Sequence, residues 1–324
     1  MLIALLTLVA GLVILGVGGH YLVQGATVIA LLARLSTAAV ALTVVAMGTS
    51  LPELAVSLSA AARGSTDLAY GNIVGSSIFN IGAILGIAAL LKSISARHTS
   101  WVEYGIVLFV TCAVVILARD QLIDRFDGAL LVVALVIFMT YTVYLVSRGV
   151  PPGEVQTMER EVRRTAHLQE GTAMAWGRNL GYVIAGIVAL ALGAHFAVQG
   201  SVSIARTLGV EERIIGLTVI AMGTSLPELA TCVVATKRGE QEIVLGNVIG
   251  SNIFNLLAIL GITATIFPVP VHQRALMLDN WVMLAFTAVL LPMMILGKRI
   301  TRANAMLLLA GFVSYMAFLL LIET

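Results

Sequence analysis

The string AMGTSLPELA occupies residues 46–55 and recurs, letter for letter, at 221–230. Both copies lie in stretches that otherwise read as lipid-soluble helix, yet each carries a proline and a carboxylate. A carboxylate at mid-membrane costs about 2.5–3.5 kcal/mol on insertion scales, and a proline inside a helix about 3 kcal/mol. Paying twice, in matching places, implies a use.

Outward from this string, the two copies stay in register at a constant shift of 175 residues. Residues 43–87 laid on 218–262 match at 27 of 45 positions without a gap. His20 falls on His195, and the run Val23, Gln24, Gly25 on Val198, Gln199, Gly200. The chain of 324 residues is 59% hydrophobic and 11% charged, with a mean hydropathy of +1.02. Soluble domains carry about 25% charged residues, so this is an integral membrane protein with the lipid bilayer as its solvent. A net charge of +2 gives no footprint for nucleic acid. Cys112 and Cys232 stand far apart in apolar stretches, so no disulfide and no thiolate metal site are inferred.

Apolar runs of spanning length fall at 2–33, 37–62, 67–91, 100–118 and 128–147, then at 179–206, 212–236, 242–267, 277–297 and 303–322. This predicts an all-α membrane protein of ten helices. The charged segment 148–178, opened by Pro151 and Pro152, separates a first repeat, 1–147, from a second, 179–324. No Lys or Arg precedes Arg34, so span 2–33 lacks the basic start of a signal peptide and is expected to be retained, with the N-terminus outside. That topology puts 13 Lys and Arg on the cytoplasmic side against 6 outside, in the sense of the positive-inside rule. The linker is then cytoplasmic and the C-terminus outside. Five spans per half is an odd number, so the second half enters the membrane inverted. Inverted repeats are the construction of many secondary transporters, whose sites lie near the midplane where the repeats meet.

Within span 37–62, Pro52 has no N–H for the carbonyl of Gly48. A local break is predicted that frees carbonyl oxygens around residues 46–49, with Glu53 just beyond it. Irregular backbone at membrane depth persists only where it is buried in protein or lines a cavity. Carbonyls, hydroxyls and a carboxylate form an all-oxygen set, suited to Ca²⁺ or Na⁺ rather than zinc or copper. The next span adds GNIVGSSIFN at 71–80, repeated as GNVIGSNIFN at 246–255. Ser76 and Asn80 are four apart, hence on one helical face. Gly71 and Gly75 allow close helix approach.

These paired motifs resemble the α-repeats of the cation/Ca²⁺ exchanger superfamily, in its Na⁺/Ca²⁺ exchanger branch of prokaryotic type. The likeness covers essentially the whole chain and is strongest over 43–87 and 218–262. It implies ten helices, with spans 2, 3, 7 and 8 forming a diamond-shaped core and spans 1 and 6 sliding across it. It also implies that Glu53 and Glu228 bridge Ca²⁺ and bind Na⁺, with the backbone carbonyls of Thr49 and Thr224 completing the Ca²⁺ shell. Flanking Na⁺ sites would use Ala46, Ser50 and Ser76 on one side, and Ala221, Ser225 and Ser251 on the other. Asn80 and Asn255 would line the middle site. Some exchangers, including K⁺-dependent ones, carry Asp where this chain has Asn255, which speaks against K⁺ dependence here.

The function expected is exchange of Na⁺ for Ca²⁺ by alternating access; H⁺/Ca²⁺ antiport is the alternative. No nucleophile–base set or zinc motif suggests an enzyme, and neither a cofactor nor an obligate protein partner is implied. His20 and His195, each four residues before a glutamine, read as cavity-wall residues or as gating elements. Glu103 and Asp279, beside Trp101 and Trp281, read as interfacial anchors.

Overall fold

The computed structural model describes residues 1–33, 35–96, 101–147, 172–209, 221–295 and 298–323. The first half holds α1 (Leu2–Leu32), α2 (Thr37–Thr49), α3 (Leu51–Ala62) and α4, which runs from Thr66–Phe79 through a π-helical stretch, Asn80–Leu85, into Gly86–Leu91. It continues with β1 (Ile94–Ser95), α5 (Trp101–Leu117), β2 (Leu122–Ile123) and α6 (Arg125–Ser147). The second half holds α7 (Thr172–Thr207), α8 (Ala221–Gly223), α9 (Leu226–Arg238) and α10, running from Gln241–Ile253 through π-helical Phe254–Ile259 into Leu260–Ile266. After it come β3 (Val269–Pro270), α11 (π-helical Ala275–Asp279 continuing as Asn280–Ile295), β4 (Arg299–Ile300) and α12 (Arg302–Glu323).

Among the described residues, eight helices are long and apolar enough to cross a membrane, and α2 with α3 makes a ninth span bent by 42°. The first part of the expected span 212–236 lies outside the described residues, as do residues 148–171 of the expected linker. Helix α7 begins at Thr172, within the stretch read as linker, so its 36 residues reach about 54 Å. That exceeds a hydrocarbon core of about 30 Å, leaving its first turns to project beyond it.

Two helices occupy the centre. Helix α10 is buried along its whole apolar length and α4 along most of it, whereas α12 is largely exposed. Leu42, Ile73, Ile78, Ile84, Ile253 and Leu256 fill the space between the repeats. Gly246 and Gly250 let α2 lie directly on α10: a methyl group at Gly250 would come within 2.5 Å of the Leu42 carbonyl oxygen.

Helices α1 and α7 pack antiparallel on a glycine seam of period seven. Gly11, Gly18 and Gly25 face Gly193, Gly186 and the backbone of Asn179, while Gly200 faces Ala4. A Cβ at any of these six glycines would lie 2.4–2.9 Å from a backbone atom of the partner helix. A seven-residue repeat keeps one stripe turned toward a neighbouring helix. The shift of 175 maps Gly11, Gly18 and Gly25 onto Gly186, Gly193 and Gly200, so the seam is itself symmetric.

Two short antiparallel clips, which the sequence patterns did not suggest, carry the same symmetry. β1 pairs β4, with Ile94 opposite Ile300, and β2 pairs β3, with Ile123 opposite Val269. Ile94 maps onto Val269 under the same shift, and their partners Ile123 and Ile300 are 177 residues apart, so the operation that exchanges the repeats exchanges the clips with a two-residue offset. Both pairs join one half to the other.

Candidate cation site

Ser50 separates α2 from α3, and Pro52 stands in the first turn of α3, where a missing N–H costs no helical bond. The carbonyl of Ala46 is not freed by this break as expected. It accepts the Ser50 N–H at 3.0 Å and the Thr49 hydroxyl at 3.2 Å. The second repeat turns at Thr224 and Ser225, with the Ser225 N–H bonded to the Met222 carbonyl at 3.2 Å. In both repeats the break puts the glutamate in the first turn of the following helix. A helix N-terminus favours negative charge, which helps hold a carboxylate at this depth.

The side chains then cross between repeats. Ser50 donates to Glu228 Oε1 at 2.9 Å, and Ser225 donates to Glu53 Oε1 at 2.8 Å. Thr49, whose single hydroxyl proton is shared with the Ala46 carbonyl, reaches Asn247 Oδ1 at 3.3 Å, and Thr224 donates to Asn72 Oδ1 at 3.4 Å. Each pair of contacts is one contact written twice by the shift of 175. Asn72 also donates to Ser57 at 3.0 Å, and Asn247 to the Cys232 sulfur at 3.4 Å. Asn72 and Asn247 therefore tie the break of one repeat to the core helix of the other. Sequence reasoning missed them, although they are the invariant second letters of GNIVG and GNVIG; their signal lay in the same alignment.

Glu53, Glu228, Ser76, Ser251, Asn80 and Asn255 are all at most 2% exposed. Eight buried side-chain oxygens find no hydrogen-bond partner among the described residues. Six of them are Oε2 of Glu53 and Glu228, Oγ of Ser76 and Ser251, and Oδ1 of Asn80 and Asn255. These form three symmetry-related pairs. The other two, the hydroxyl oxygens of Thr231 and Thr263, have no such counterparts. Buried polar groups are normally satisfied, and a buried charge is costly unless paired. Asn80 and Asn255 sit in the π-helical stretches of α4 and α10; π-helical insertions occur often at functional sites. Ala46 is fully buried in a cluster with Phe254 and Ala258 of α10, and Ala221 opens α8.

The other sequence candidates lie elsewhere. His20 stands exposed with its ring 2.8–2.9 Å from the Arg238 guanidinium at the end of α9. His195 and Arg63, the residues matching this pair under the shift, make no such contact among the described residues. Asp279, read as an interfacial anchor, accepts from Tyr315 at 2.9 Å, while Tyr70 donates to the neighbouring Asn280 at 2.8 Å. Together these bonds tie α4, α11 and α12.

Comparison with known proteins gives a consistent picture. A family model described as sodium/calcium exchanger protein matches residues 3–144 and 178–321. The putative antiporter CaxA of Alkalimonas amylolytica is 38% identical over 319 residues, covering 97% of this chain and 98% of the relative. The sodium/calcium exchanger MaX1 of Methanosarcina acetivorans is 30% identical over 347 residues, covering 97% of each chain. Among solved structures, the sodium-calcium exchanger NCX_Mj soaked with Na⁺ and Sr²⁺ superposes with a TM-score of 0.84 at 27% identity, over 98% of both chains. The chain belongs to the sodium/calcium exchanger protein family.

Proposed function

We propose that this protein exchanges Na⁺ for Ca²⁺ across the cell membrane by alternating access, at the site centred on Glu53 and Glu228. The observation that carries the reading is the set of six buried oxygens without donors, arranged in three symmetric pairs. Two carboxylate oxygens, two amide oxygens and two hydroxyl oxygens, buried and undonated, match the hard-oxygen preference of Ca²⁺ and Na⁺. The two carboxylates neutralise one Ca²⁺, which the backbone carbonyls of Thr49 and Thr224 help to enclose. Na⁺ competes for the same carboxylates. Ser50 and Ser76, and Ser225 and Ser251 with Ala221, supply the flanking oxygens that Na⁺ needs and a proton does not; the Ala46 carbonyl joins them on release of the Thr49 hydroxyl. Asn80 and Asn255 line the middle. Three Na⁺ against two carboxylates leave one net charge to move per cycle.

The glycine seam lets α1 and α7 move as one body across the core. The linker 148–178 lies in the cytoplasm and both termini outside, following the positive-charge count. A cysteine placed in the linker should react with an impermeant maleimide only from the cytoplasmic side.

The test of coupling is ⁴⁵Ca²⁺ uptake into proteoliposomes under imposed Na⁺, H⁺ or K⁺ gradients. Uptake driven by outward Na⁺ gradient and indifferent to the others is expected. Uptake driven by a pH gradient alone would assign the glutamates to proton exchange instead.

A further inference from the structure

The middle of the site contains an amide relay whose direction is set by a backbone carbonyl. The Ser77 carbonyl can only accept, and Asn252 presents Nδ2 to it at 3.3 Å. That choice turns Asn252 Oδ1 toward Asn80, which donates Nδ2 to it at 3.0 Å. Asn80 Oδ1 is thereby left on the opposite side of its own amide, buried and without a donor. Asn80 and Asn252 are 1% and 2% exposed, so solvent does not compete for these groups. Flipping the Asn80 amide would set its oxygen against Asn252 Oδ1, two acceptors facing each other, and would put N–H groups where the undonated Oδ1 now lies. An amide that donates in a buried chain also carries a more polarised carbonyl.

Among the described residues, the symmetry-related relay is not built. The residue matching Asn252 is Ser77, whose hydroxyl is spent on the Ile73 carbonyl at 2.9 Å, one turn back in its own helix. The difference between Ser77 and Asn252 is the one polar mismatch within the otherwise duplicated GN-x-x-GS-x-IFN motif. Symmetry of the ligand pairs is therefore broken at the residue that orients one of them.

We propose that Asn252 is a positioning residue for ion exchange: it fixes the Asn80 amide with its carbonyl oxygen toward the cation, making Asn80 the preset amide ligand and Asn255 the adjustable one. This rests on the cation assignment of the site, though not on which ion drives transport.

The experiment is a double-mutant cycle read by ⁴⁵Ca²⁺/⁴⁰Ca²⁺ exchange in proteoliposomes without Na⁺, with ⁴⁵Ca²⁺ binding to the purified protein as a second readout. Asn252→Ala should raise the half-saturating Ca²⁺ concentration about tenfold, the size expected for losing a hydrogen bond that acts on a charged group. In an Asn80→Asp background the same substitution should not raise it, because a carboxylate offers an oxygen whichever way it turns and Asn252 Oδ1 faces it as a second acceptor. Asn80→Ala gives a second background, read by binding where exchange is lost, in which Asn252→Ala should again add little. Equal losses in all backgrounds would make Asn252 a packing residue and overturn the proposal. A wild-type protein that neither binds nor exchanges Ca²⁺ would instead remove the cation assignment on which it rests.

Discussion

Ser50 and Glu228 belong to opposite halves of the chain, 178 residues apart, and are joined by a 2.9 Å hydrogen bond. The reciprocal bond from Ser225 to Glu53 is 2.8 Å. Neither half can therefore complete the site alone: each carboxylate takes one proton donor from the other repeat and keeps its second oxygen free. A serine hydroxyl that donates to a carboxylate still has lone pairs for a cation. Ser50→Ala and Ser225→Ala should raise the half-saturating Na⁺ concentration by comparable factors of about tenfold, while Ca²⁺/Ca²⁺ exchange falls less. The factor corresponds to about 1.4 kcal/mol, close to the lower bound for a hydrogen bond to a charged group. An equal loss in both modes, with no shift in Na⁺ dependence, would reduce the serines to supports for the carboxylates.

The glutamates allow a sharper test, because Gln keeps their shape. In Glu53→Gln the amide oxygen can still accept from Ser225, so the fold should survive, as judged by a monodisperse elution profile. The group replacing Oε2 becomes an NH₂, which repels a cation. Glu53→Gln and Glu228→Gln should each reduce Ca²⁺ exchange at least about a hundredfold, roughly 2.7 kcal/mol. Ca²⁺ that binds only the folded wild type should also raise its unfolding temperature, and that shift should vanish in both variants. Substantial flux through either one would show that a single carboxylate suffices.

The duplicated string carried most of what was legible in the sequence. A constant shift of 175 residues pointed to the repeats, and oxygen-bearing side chains at matching places in a hydrophobic chain pointed to the candidate site. What stayed hidden depends on contacts between halves, which no local pattern encodes. Asn72 and Asn247 match as well as Asn80 and Asn255 do, yet their work appears only once Thr224 and Thr49 are seen to arrive from the other repeat. Pro52 correctly marked a break, but a serine N–H and a threonine hydroxyl claimed the Ala46 carbonyl that the break was expected to free. The glycine seam has a period of seven that was present in the sequence all along, diluted among 30 glycines.

That seam makes a prediction about stability. A Cβ at Gly18 would lie 2.9 Å from the Leu190 backbone nitrogen and 3.0 Å from the Gly186 carbonyl oxygen, whereas one at Gly16 would meet nothing within 4 Å. Replacing a helical glycine by alanine gains about 0.5–1 kcal/mol of backbone entropy. Gly16→Ala should therefore leave stability unchanged or raise it. Gly18→Ala should lower it, since overpacking costs about 1–3 kcal/mol and here the obstruction is backbone. Thermal unfolding in detergent compares them directly, and Gly18→Ala melting with Gly16→Ala would mean that α1 and α7 are not held in this close register.

The last prediction concerns potassium. Asn80 and Asn255 each hold a buried oxygen without a donor among the described residues, and an amide oxygen carries a partial charge where aspartate would carry a full one. Glu53 and Glu228 are the two carboxylates of the set, enough to balance one Ca²⁺ with no charge left for a K⁺ beside it. Wild-type Na⁺-driven Ca²⁺ flux should then persist, within about twofold, when K⁺ is replaced by choline on both sides. That bound corresponds to about 0.4 kcal/mol, small against the loss of any ligand bond. Asn255→Asp changes the count. A third carboxylate beside the other two is repelled by both, and in a buried site that repulsion is relieved only by taking on another positive charge. The variant should therefore bind or carry an additional cation, seen as a new dependence of Ca²⁺ flux on K⁺ or as an altered number of Na⁺ moved per Ca²⁺. Wild-type flux that collapses in choline would show that the site already holds K⁺ through a ligand other than these carboxylates.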